Sequence, residues 1–377
     1  MKLILPSIVL LFFSFVASGQ QTNNGSITHN GLKRDYILYV PALYNPATPA
    51  PLVLNFHGYT SNALEQMLYG DFRPIADTAG FILVHPLGTK DLLGNNHWNV
   101  GWGTSTVDDI GFTAALIDSL SAQYAINPER IYSTGMSNGG FMSYTLACEL
   151  SDRIAAIASV TGSMTVNQNQ SCDPVHPMPV MEIHGTADGT VAYEGNILFT
   201  PIPSVLAFWT QFNQCETSPE INPIPDIDTA DGCTAEHHLY KNGNQGVEVE
   251  HYKIIGGEHT WPGSFFGGVG TNQDINASKE IWRFFSQYDI HGRINSTSTE
   301  DARPVSIQFY PNPAIDHILL ERKVDTQIPL TLFTIYGQPL HSCTVYNARF
   351  ELDISAYPAG MYILTLGEQS FTFVKQD

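Results

Sequence analysis

Short apolar runs alternate with longer helical stretches over residues 26–290. Several of the runs are apolar almost throughout, which is typical of strands buried on both faces of a parallel sheet. The alternation predicts an α/β domain in which helices cover both faces of an open, mostly parallel sheet. The predicted strands are 36–40, 51–56, 81–84, 130–133, 154–160, 180–184 and 249–255.

The clearest helical pattern lies in residues 108–124, where an apolar side chain recurs at every fourth position from Phe112 to Tyr124. This spacing predicts an amphipathic helix. Asp108 and Asp109 fall in its first turn, where the helix dipole favours negative charge. We therefore interpret both aspartates as structural.

The pattern of apolar and polar residues changes after residue 290. Residues 291–305 are polar without apolar periodicity, which indicates a linker. Residues 306–377 contain short apolar strands separated by Pro, Gly and Asn turns. That pattern predicts a small antiparallel β-sandwich as a second domain.

Residues 1–19 have the form of a signal peptide. Lys2 precedes an apolar run, and the run is followed by the small residues Ala17, Ser18 and Gly19. The run is shorter than the roughly 20 residues that a membrane helix needs, and no later segment is apolar for long enough. We expect a secreted mature protein without a membrane span.

Composition excludes two classes of protein. The 377 residues contain 17 Lys and Arg against 36 Asp and Glu, a formal charge of -19, so a basic surface for nucleic acid cannot be assembled. With 43% hydrophobic residues, the chain is also too apolar to be disordered.

The five cysteines of an exported chain enter an oxidising compartment. The pairings with the shortest loops are Cys148 with Cys172 and Cys215 with Cys233, which leaves Cys343 alone. The alternative for Cys148, inside an apolar stretch, is a small buried hydrophobic residue.

The strongest chemical signal is Gly-Met-Ser-Asn-Gly-Gly at 135–140, between the predicted strand 130–133 and a helical stretch at 141–150. A G-x-S-x-G turn of this kind needs small residues so that the hydroxyl of Ser137 is presented above the sheet. The following helix N-terminus favours developing negative charge. The alternative is a glycine-rich turn in which the serine only caps the helix.

A serine nucleophile needs a general base and a group that orients the base. Asp188 follows the strand 180–184, where an acid would reach the site, and His259 lies in a glycine-rich loop after the strand 249–255. Position favours His259 among the 13 histidines. A zinc site is disfavoured because no metal-ligand spacing recurs, and the predicted chemistry requires no cofactor.

An oxyanion needs backbone donors, one after the nucleophile and one after an early strand. We expect these to be the N–H groups of Asn138 and Tyr59; the alternative for the second segment is an ordinary His-Gly turn. Trp98, Trp102 and Trp261 are candidate substrate-binding residues that would stack on an aromatic ring or a sugar. Their alternative is packing in the core or in loops.

These segments resemble the extracellular α/β-hydrolase esterases that include feruloyl esterases, acetyl-xylan esterases of carbohydrate esterase family 1 and polyhydroxybutyrate depolymerase-like enzymes. The resemblance implies Ser137 as nucleophile, Asp188 as acid and His259 as base. It rests on residues 56–58, 107–112, 135–140, 183–188 and 257–263.

Two departures from the group's usual residues disfavour polyhydroxybutyrate as the substrate. Tyr59 replaces a cysteine often found after His-Gly in the group, and Met136 and Asn138 differ from the Leu-Ser-Ala sequence common in polyester depolymerases. The hypothesis is a secreted serine carboxylesterase acting on polysaccharide-linked esters. A polyester depolymerase is the alternative within the class, and a non-catalytic carbohydrate-binding protein is the alternative outside it.

The C-terminal domain, residues 306–377, resembles the sorting domain of the type IX secretion system. The resemblance rests on Phe-Tyr-Pro-Asn-Pro-Ala at 309–314 and on Pro-Ala-Gly-Met-Tyr at 358–362. It implies a secretion machinery as partner during export. The competing interpretation is a carbohydrate-binding module, which the lack of tryptophan in this domain disfavours.

Overall fold

The computed structural model describes residues 20–294, 308–321, 328–334, 338–347, 349–366 and 369–376. The predicted signal peptide and most of the predicted linker, from residue 295 onward, lie outside the described residues. The chain divides into two units at Ile294.

Over residues 20–294, the first unit holds fourteen strands, seven α-helices and a short 3₁₀ helix at Asn244–Gly246. Its strands are β1 (Gln21–His29), β2 (Leu32–Val40), β3 (Ala50–Phe56), β4 (Ile82–Pro86), β5 (Thr89–Lys90), β6 (Asn96–His97), β7 (Ile126–Met136), β8 (Ala156–Val160), β9 (Val180–Gly185), β10 (Glu220–Pro223), β11 (Thr234–Tyr240), β12 (Val249–Ile255), β13 (Tyr288–Asp289) and β14 (Gly292–Arg293). Its helices are α1 (Ala63–Tyr69), α2 (Arg73–Ala79), α3 (Asp109–Ser121), α4 (Asn138–Glu149), α5 (Gln168–Ser171), α6 (Ile202–Asn213) and α7 (Ala277–Phe285).

Ten of these strands form one sheet in the order β1-β2-β4-β3-β7-β8-β9-β12-β11-β10. The pairs from β4 through β12 are parallel, and the two strands at each edge are antiparallel. The predicted mostly parallel sheet is therefore confirmed. Strands β1, β10 and β11 were not predicted, because edge strands that face water lack a continuous apolar run.

Apolar side chains cover both faces of this sheet. Along β3, Leu52 and Leu54 pack in one cluster with helices α3, α4 and α6, whereas Val53 packs in the other with α2 and α7. Successive side chains of a strand point to opposite faces, so a strand between two helical layers is apolar throughout. This arrangement confirms the predicted helices on both faces.

The two aspartates at the start of α3 have different roles. Asp108 caps the helix, accepting from the N–H of Gly111 at 2.8 Å. Asp109 is buried and pairs with Arg34 at 2.6 Å, and it also accepts from the N–H of Asn99 at 2.8 Å. The dipole interpretation is thus incomplete for Asp109, whose carboxylate joins α3 to β2 and to the loop after β6.

One of the two predicted disulfides is present. Cys148 and Cys172 are bonded, as predicted. The predicted pairing of Cys215 with Cys233 is wrong: both are free and buried, and they belong to the apolar clusters on opposite faces of the sheet. Cys343 is free, as predicted.

The described strands of the second unit are β15 (Gln308–Tyr310), β16 (His317–Glu321), β17 (Ile328–Thr334), β18 (Pro339–Val345), β19 (Arg349–Asp353), β20 (Gly360–Leu366) and β21 (Gln369–Lys375). They form two antiparallel sheets, ordered β15-β16-β19 and β18-β17-β20-β21. Side chains from both sheets, such as Leu320 and Leu364, share one apolar cluster, which confirms the predicted β-sandwich.

Across the described ranges of both units, no helix is long and apolar enough to cross a membrane.

Candidate active site

Ser137 occupies a sharp turn between β7, which ends at Met136, and α4, which begins at Asn138. Its backbone has φ 55° and ψ -121°, a conformation with positive φ that is strained for a residue with a side chain. Its side chain makes no capping hydrogen bond to the helix. The alternative of a simple helix-capping serine therefore finds no support.

The glycines around Ser137 permit the close packing of this turn. A Cβ at Gly135 would lie 2.5 Å from the carbonyl oxygen of Phe56, and one at Gly139 would lie 2.1 Å from the same atom. Both positions therefore exclude side chains, because the end of β3 passes directly against the turn. The same contact brings the segment after β3 to Ser137.

Asp188 and His259 lie in loops that are bonded to one another. The loop after β9 and the loop after β12 are joined by the N–H of Ala187, which donates to the carbonyl of Gly257 at 2.9 Å. His259 Nδ1 lies 2.7 Å from Oδ2 of Asp188. Gly256 has φ +77°, so the turn that leads to His259 uses the left-handed region that favours glycine.

The carboxylate of Asp188 is fixed from several sides. Its Oδ1 accepts from the N–H groups of Thr190 and Val191, both at 2.8 Å. Its Oδ2 faces Nδ1 of His259, and Nε2 of His184 lies 3.4 Å from the same oxygen. The Asp188 side chain is wholly buried, whereas that of His259 is 20% exposed. The acid is thus immobile and the imidazole reaches solvent.

The two predicted oxyanion segments meet at Ser137. Asn138 is the first residue of α4, and the first N–H groups of a helix have no partner within it. Gly58 lies against the serine, since a Cβ on it would be 3.4 Å from Cβ of Ser137. Tyr59 follows Gly58, so its backbone belongs to the same wall of the site.

His57 has a structural role in this wall. Its Nε2 accepts from the N–H of Gly88 at 2.9 Å, so the ring proton is on Nδ1, which donates to the carbonyl of Gly58 at 2.7 Å. Burial lowers the pKa of His57 to about 4, so the ring is neutral. The His-Gly pair is therefore more than an ordinary turn, because the ring holds the loop in place.

A cavity of about 430 Å³ opens at Ser137 and His259. Its wall is largely apolar and aromatic. The side chains that contribute to it include Tyr59, Leu68, Tyr69, Met136 and Phe266.

A second cavity, of about 460 Å³, lies on the other side of Tyr59 and is lined by Trp102, Asn138, Leu92 and Leu93 among others. Tyr59 lines both cavities, and its hydroxyl donates to Asp91 at 2.7 Å, which holds the ring between them. The site therefore has two compartments, one beside Ser137 and one beside Asn138.

The three predicted substrate-binding tryptophans have different environments. Trp98 and Trp261 are each only 1% exposed, which favours the alternative that they pack in the core. Trp98 nevertheless contributes to the lining of the second cavity. Trp261 donates from Nε1 to Ser278 and packs edge-on against Phe72. Trp102 is half-buried, lies edge-on to Phe141 and lines the second cavity.

Residues of α1 and of the loop after His259 also line the first cavity, and sequence reasoning did not identify them. Leu68 and Phe266 are both exposed despite their apolar side chains. The consecutive pair Phe265-Phe266 in a glycine-rich loop was a usable signal, because large apolar side chains in a polar loop mark a contact surface. Leu68 gives no such signal, since its helix is apolar on several sides.

The comparisons with known proteins agree with this fold. The family described as "Esterase PHB depolymerase" matches residues 34–203, and the "Secretion system C-terminal sorting domain" matches residues 308–376. A solved acetyl xylan esterase from Aspergillus awamori superposes with a TM-score of 0.50 at 13% identity and covers 70% of this chain and 99% of its own.

Two curated relatives carry related names. Feruloyl esterase B of Piromyces equi is 28% identical over 237 residues, which are 60% of this chain and 42% of that protein. The bifunctional acetylxylan esterase/xylanase XynS20E of Neocallimastix patriciarum is 25% identical over 278 residues, 74% of this chain and 36% of that protein. This chain thus spans less than half the length of either relative.

Both predicted resemblances are confirmed. Residues 34–203 match the esterase family and are followed by residues 308–376, which match the secretion sorting domain, and the chain is similar to feruloyl and acetylxylan esterases. The sorting domain agrees with the predicted location outside the cell or at its surface.

Proposed function

We propose that residues 26–290 form a secreted serine carboxylic ester hydrolase with Ser137, His259 and Asp188 as its catalytic triad. One observation carries the proposal: Ser137, on a strained turn, lines the same cavity as His259, whose Nδ1 lies 2.7 Å from Asp188. Strain at an observed positive φ is typical of functional sites.

Acylation begins when Ser137 Oγ attacks the ester carbonyl carbon and His259 Nε2 takes the hydroxyl proton. Asp188 binds Nδ1, which leaves Nε2 as the base, and stabilises the imidazolium that forms. The N–H groups of Tyr59 and Asn138 stabilise the oxyanion, each contributing on the order of 10²–10³-fold in rate. Collapse of the intermediate breaks the ester C–O bond, and the imidazolium protonates the departing alkoxide.

Deacylation repeats these steps with water as the nucleophile. His259 removes a proton from water as its oxygen attacks the acyl carbon, and then returns the proton to Ser137 Oγ as the acid leaves. Every proton and electron pair is accounted for by the substrate, water and the three side chains. The mechanism requires no cofactor.

The two cavities suit an ester with a bulky group on each side of its carbonyl. The first cavity, of about 430 Å³, is much larger than an acetyl group and has a largely apolar, aromatic wall. It therefore favours an aromatic acyl group such as feruloyl, with the polysaccharide alcohol in the compartment of Trp102. The names of the two curated relatives point to the same class of ester.

The second candidate is a polyester depolymerase. The family match over residues 34–203 favours it, as do the exposed apolar side chains around the cavity. Release of product from methyl ferulate, feruloylated arabinoxylan, acetylated xylan and a polyhydroxybutyrate film separates the candidates. Preference for the two feruloyl esters supports the first proposal, and release from the film alone contradicts it.

A separate labelling experiment addresses the non-catalytic alternative. A fluorophosphonate probe should modify Ser137, which peptide mass spectrometry would locate, and the Ser137→Ala variant should remain unmodified. Absence of labelling in the wild-type protein would favour a carbohydrate-binding protein.

A second proposal concerns the partner of the chain during export. We propose that residues 306–377 are bound by the type IX secretion machinery, which the family match over 308–376 supports. In a host that secretes the full chain, a truncated chain without this domain should remain inside the cell. Unchanged export of the truncated chain would contradict this role.

A further inference from the structure

A second pair of titratable side chains lies directly behind the proposed catalytic acid. His184 Nδ1 lies 2.9 Å from Oε1 of Glu182, and its Nε2 lies 2.7 Å from the carbonyl oxygen of Val191. The same Nε2 is 3.4 Å from Oδ2 of Asp188. The side chains of Glu182, His184 and Asp188 are all wholly buried.

The contacts of the ring define its protonation. A carbonyl oxygen only accepts, so Nε2 carries a proton, and Nδ1 faces a carboxylate whose other oxygen accepts from Tyr144 at 2.7 Å. Burial opposes a charge on this ring, but Glu182, the Val191 carbonyl and Asp188 together raise the pKa of His184. Burial raises the pKa of Glu182, whereas the hydrogen bonds from His184 and Tyr144 favour its carboxylate form. Because both ring nitrogens of His184 face acceptor oxygens, the geometry favours an imidazolium paired with the Glu182 carboxylate.

The cation acts on the oxygen that the mechanism uses. Oδ2 of Asp188 receives His259 Nδ1 from the solvent side and faces His184 Nε2 from the protein side. A buried carboxylate is costly unless charges or donors surround it. The imidazolium of His184 lies beside the carboxylate of Asp188, so it reduces the negative potential that this carboxylate exerts on His259.

We propose that Glu182 and His184 are positioning residues of the ester hydrolase: their buried ion pair places a cation behind Asp188 and thereby sets the pH at which His259 becomes an active base. The proposal rests on the proposed function of the triad. It assigns a role to the histidine that precedes the acid in the segment His-Gly-Thr-Ala-Asp at 184–188.

The neighbouring strands hold further titratable groups. His251 Nδ1 lies 2.9 Å from the backbone carbonyl oxygen of Glu182, and burial lowers the pKa of His251 to about 3, which leaves that ring neutral. These groups stay unchanged in the test described next, so they do not alter a comparison between variants. The other groups near the pair, the acid or the base are Tyr144, Tyr193, Glu194, Glu236, His238, Tyr240, Lys253, Glu258 and Glu65.

The test is the Glu182→Gln variant. A neutral amide donates to Nδ1 of His184, so the ring keeps only its Nε2 proton and the cation behind Asp188 disappears. Asp188 then stabilises the imidazolium of His259 more strongly. The variant removes the more distant Glu182 anion together with the nearer His184 cation, so the two electrostatic effects on His259 largely cancel. The acid limb of kcat/KM should therefore move to higher pH by only about half a unit.

The chain offers a matched control. Glu250 is also buried on a strand of the same sheet and pairs with a histidine, His237, at 2.7 Å, and with Arg283. Glu250→Gln removes a buried Glu–His contact that does not face Asp188. It should lower stability and leave the acid limb where it is in the wild-type enzyme.

An independent readout is the ¹⁵N NMR spectrum of the histidine side chains. In the wild-type protein at pH 7, His184 should show protons on both ring nitrogens, and in Glu182→Gln only on Nε2. If Glu182→Gln does not fold, the double variant Glu182→Gln with His184→Gln keeps two hydrogen-bonding amides and should show the same shift of the acid limb.

Two results would overturn the proposal: a neutral His184 ring in the wild-type protein, or coincident acid limbs in the wild-type enzyme and the folded variant. The NMR measurement needs no turnover. Loss of the triad assignment and loss of the ion pair are therefore distinguishable.

Discussion

The side chain of Asn138 bridges the backbone of Trp98. Its Oδ1 accepts from the Trp98 N–H at 2.7 Å, and its Nδ2 donates to the Trp98 carbonyl at 3.2 Å. Trp98 in turn donates from Nε1 to the carbonyl of His57 at 2.9 Å. The residue after the proposed nucleophile is thus tied to the segment that precedes Tyr59, so both proposed oxyanion donors belong to one bonded unit.

Removing this bridge should impair catalysis as well as folding. Asn138→Ala leaves two buried backbone groups of Trp98 without partners, and each of them should lower the free energy of unfolding by about 1–3 kcal/mol. Because the backbone near the oxyanion shifts, we expect kcat on a soluble aryl ester to fall at least tenfold. Urea unfolding and steady-state kinetics measure the two effects.

Asn213 provides the control for that variant. It makes the same two-bond bridge, accepting from the N–H of Met178 at 2.8 Å and donating to its carbonyl at 2.6 Å, on an element away from the cavities. Asn213→Ala should lose comparable stability and keep kcat. Equal kcat values for the two variants would contradict the role of Asn138 in the site.

Trp102 is expected to affect the binding of a bulky substrate. Stacking on an aromatic side chain contributes about 0.5–1.5 kcal/mol, so Trp102→Ala should raise KM for a feruloylated oligosaccharide by up to about tenfold and change KM for methyl ferulate less. Initial-rate kinetics on both esters test this.

Trp261 is the contrasting position. Because it is buried against Phe72, Trp261→Phe should lower the free energy of unfolding by creating a small void. The KM ratio of the two esters should stay at its wild-type value. If Trp261→Phe changed this KM ratio and Trp102→Ala did not, the assignment of Trp102 to the substrate site and of Trp261 to the core would be wrong.

Much of the fold could be predicted because the central strands are buried on both faces. A strand such as 51–56 is apolar at nearly every position for that reason. Ser137, Asp188 and His259 could be singled out because each follows a strand in a glycine-rich segment, and the carboxyl ends of parallel strands meet at one edge of the sheet.

The features that sequence reasoning missed depend on which side of the sheet, or which side of a loop, a side chain occupies. Cys215 and Cys233 are close enough in sequence to pair, yet they pack on opposite sides of the sheet. Trp98 and Trp261 flank the site in sequence but point into the core. Spacing along the chain does not encode these directions in irregular loops, where no 2.0 or 3.6 residue period applies.

The disulfide should be a measurable source of stability. Cys148 and Cys172 close a loop with a sequence separation of 24, for which chain entropy gives about 3 kcal/mol. In urea unfolding, the double variant Cys148→Ala with Cys172→Ala should have a free energy of unfolding lower than that of the wild-type protein by this amount. Reduction of the wild-type protein should have the same effect. Cys215→Ala should remain as sensitive to reduction as the wild-type protein, since Cys215 is a free thiol.

Stability should fall in mild acid because of buried histidines. Burial lowers the pKa of His57 to about 4 and those of His85 and His251 to about 3. Each group is neutral when folded and takes up a proton on unfolding below its ordinary pKa of about 6.5. The contribution of these neutral histidines to the free energy of unfolding is therefore fully present above pH 6.5. It is lost as the pH falls toward 4, by about 1.4 kcal/mol per histidine per pH unit.

His85→Leu isolates one of these contributions. We expect the free energy of unfolding, measured with urea at pH 7, 6 and 5, to fall less steeply with decreasing pH than in the wild-type protein. The difference in slope should correspond to about one fewer proton taken up on unfolding. His291→Leu, at a position whose side chain is 73% exposed, should follow the wild-type slope. Parallel slopes for all three proteins would show that His85 is not buried in its neutral form.

The most direct test of the account is the activity of Ser137→Ala on a soluble aryl ester. The central claim is that Ser137 forms the acyl-enzyme, so kcat/KM should fall by at least about 10³-fold, with unchanged circular dichroism and no labelling by a fluorophosphonate. A folded Ser137→Ala protein that hydrolyses the ester at the wild-type rate would contradict it.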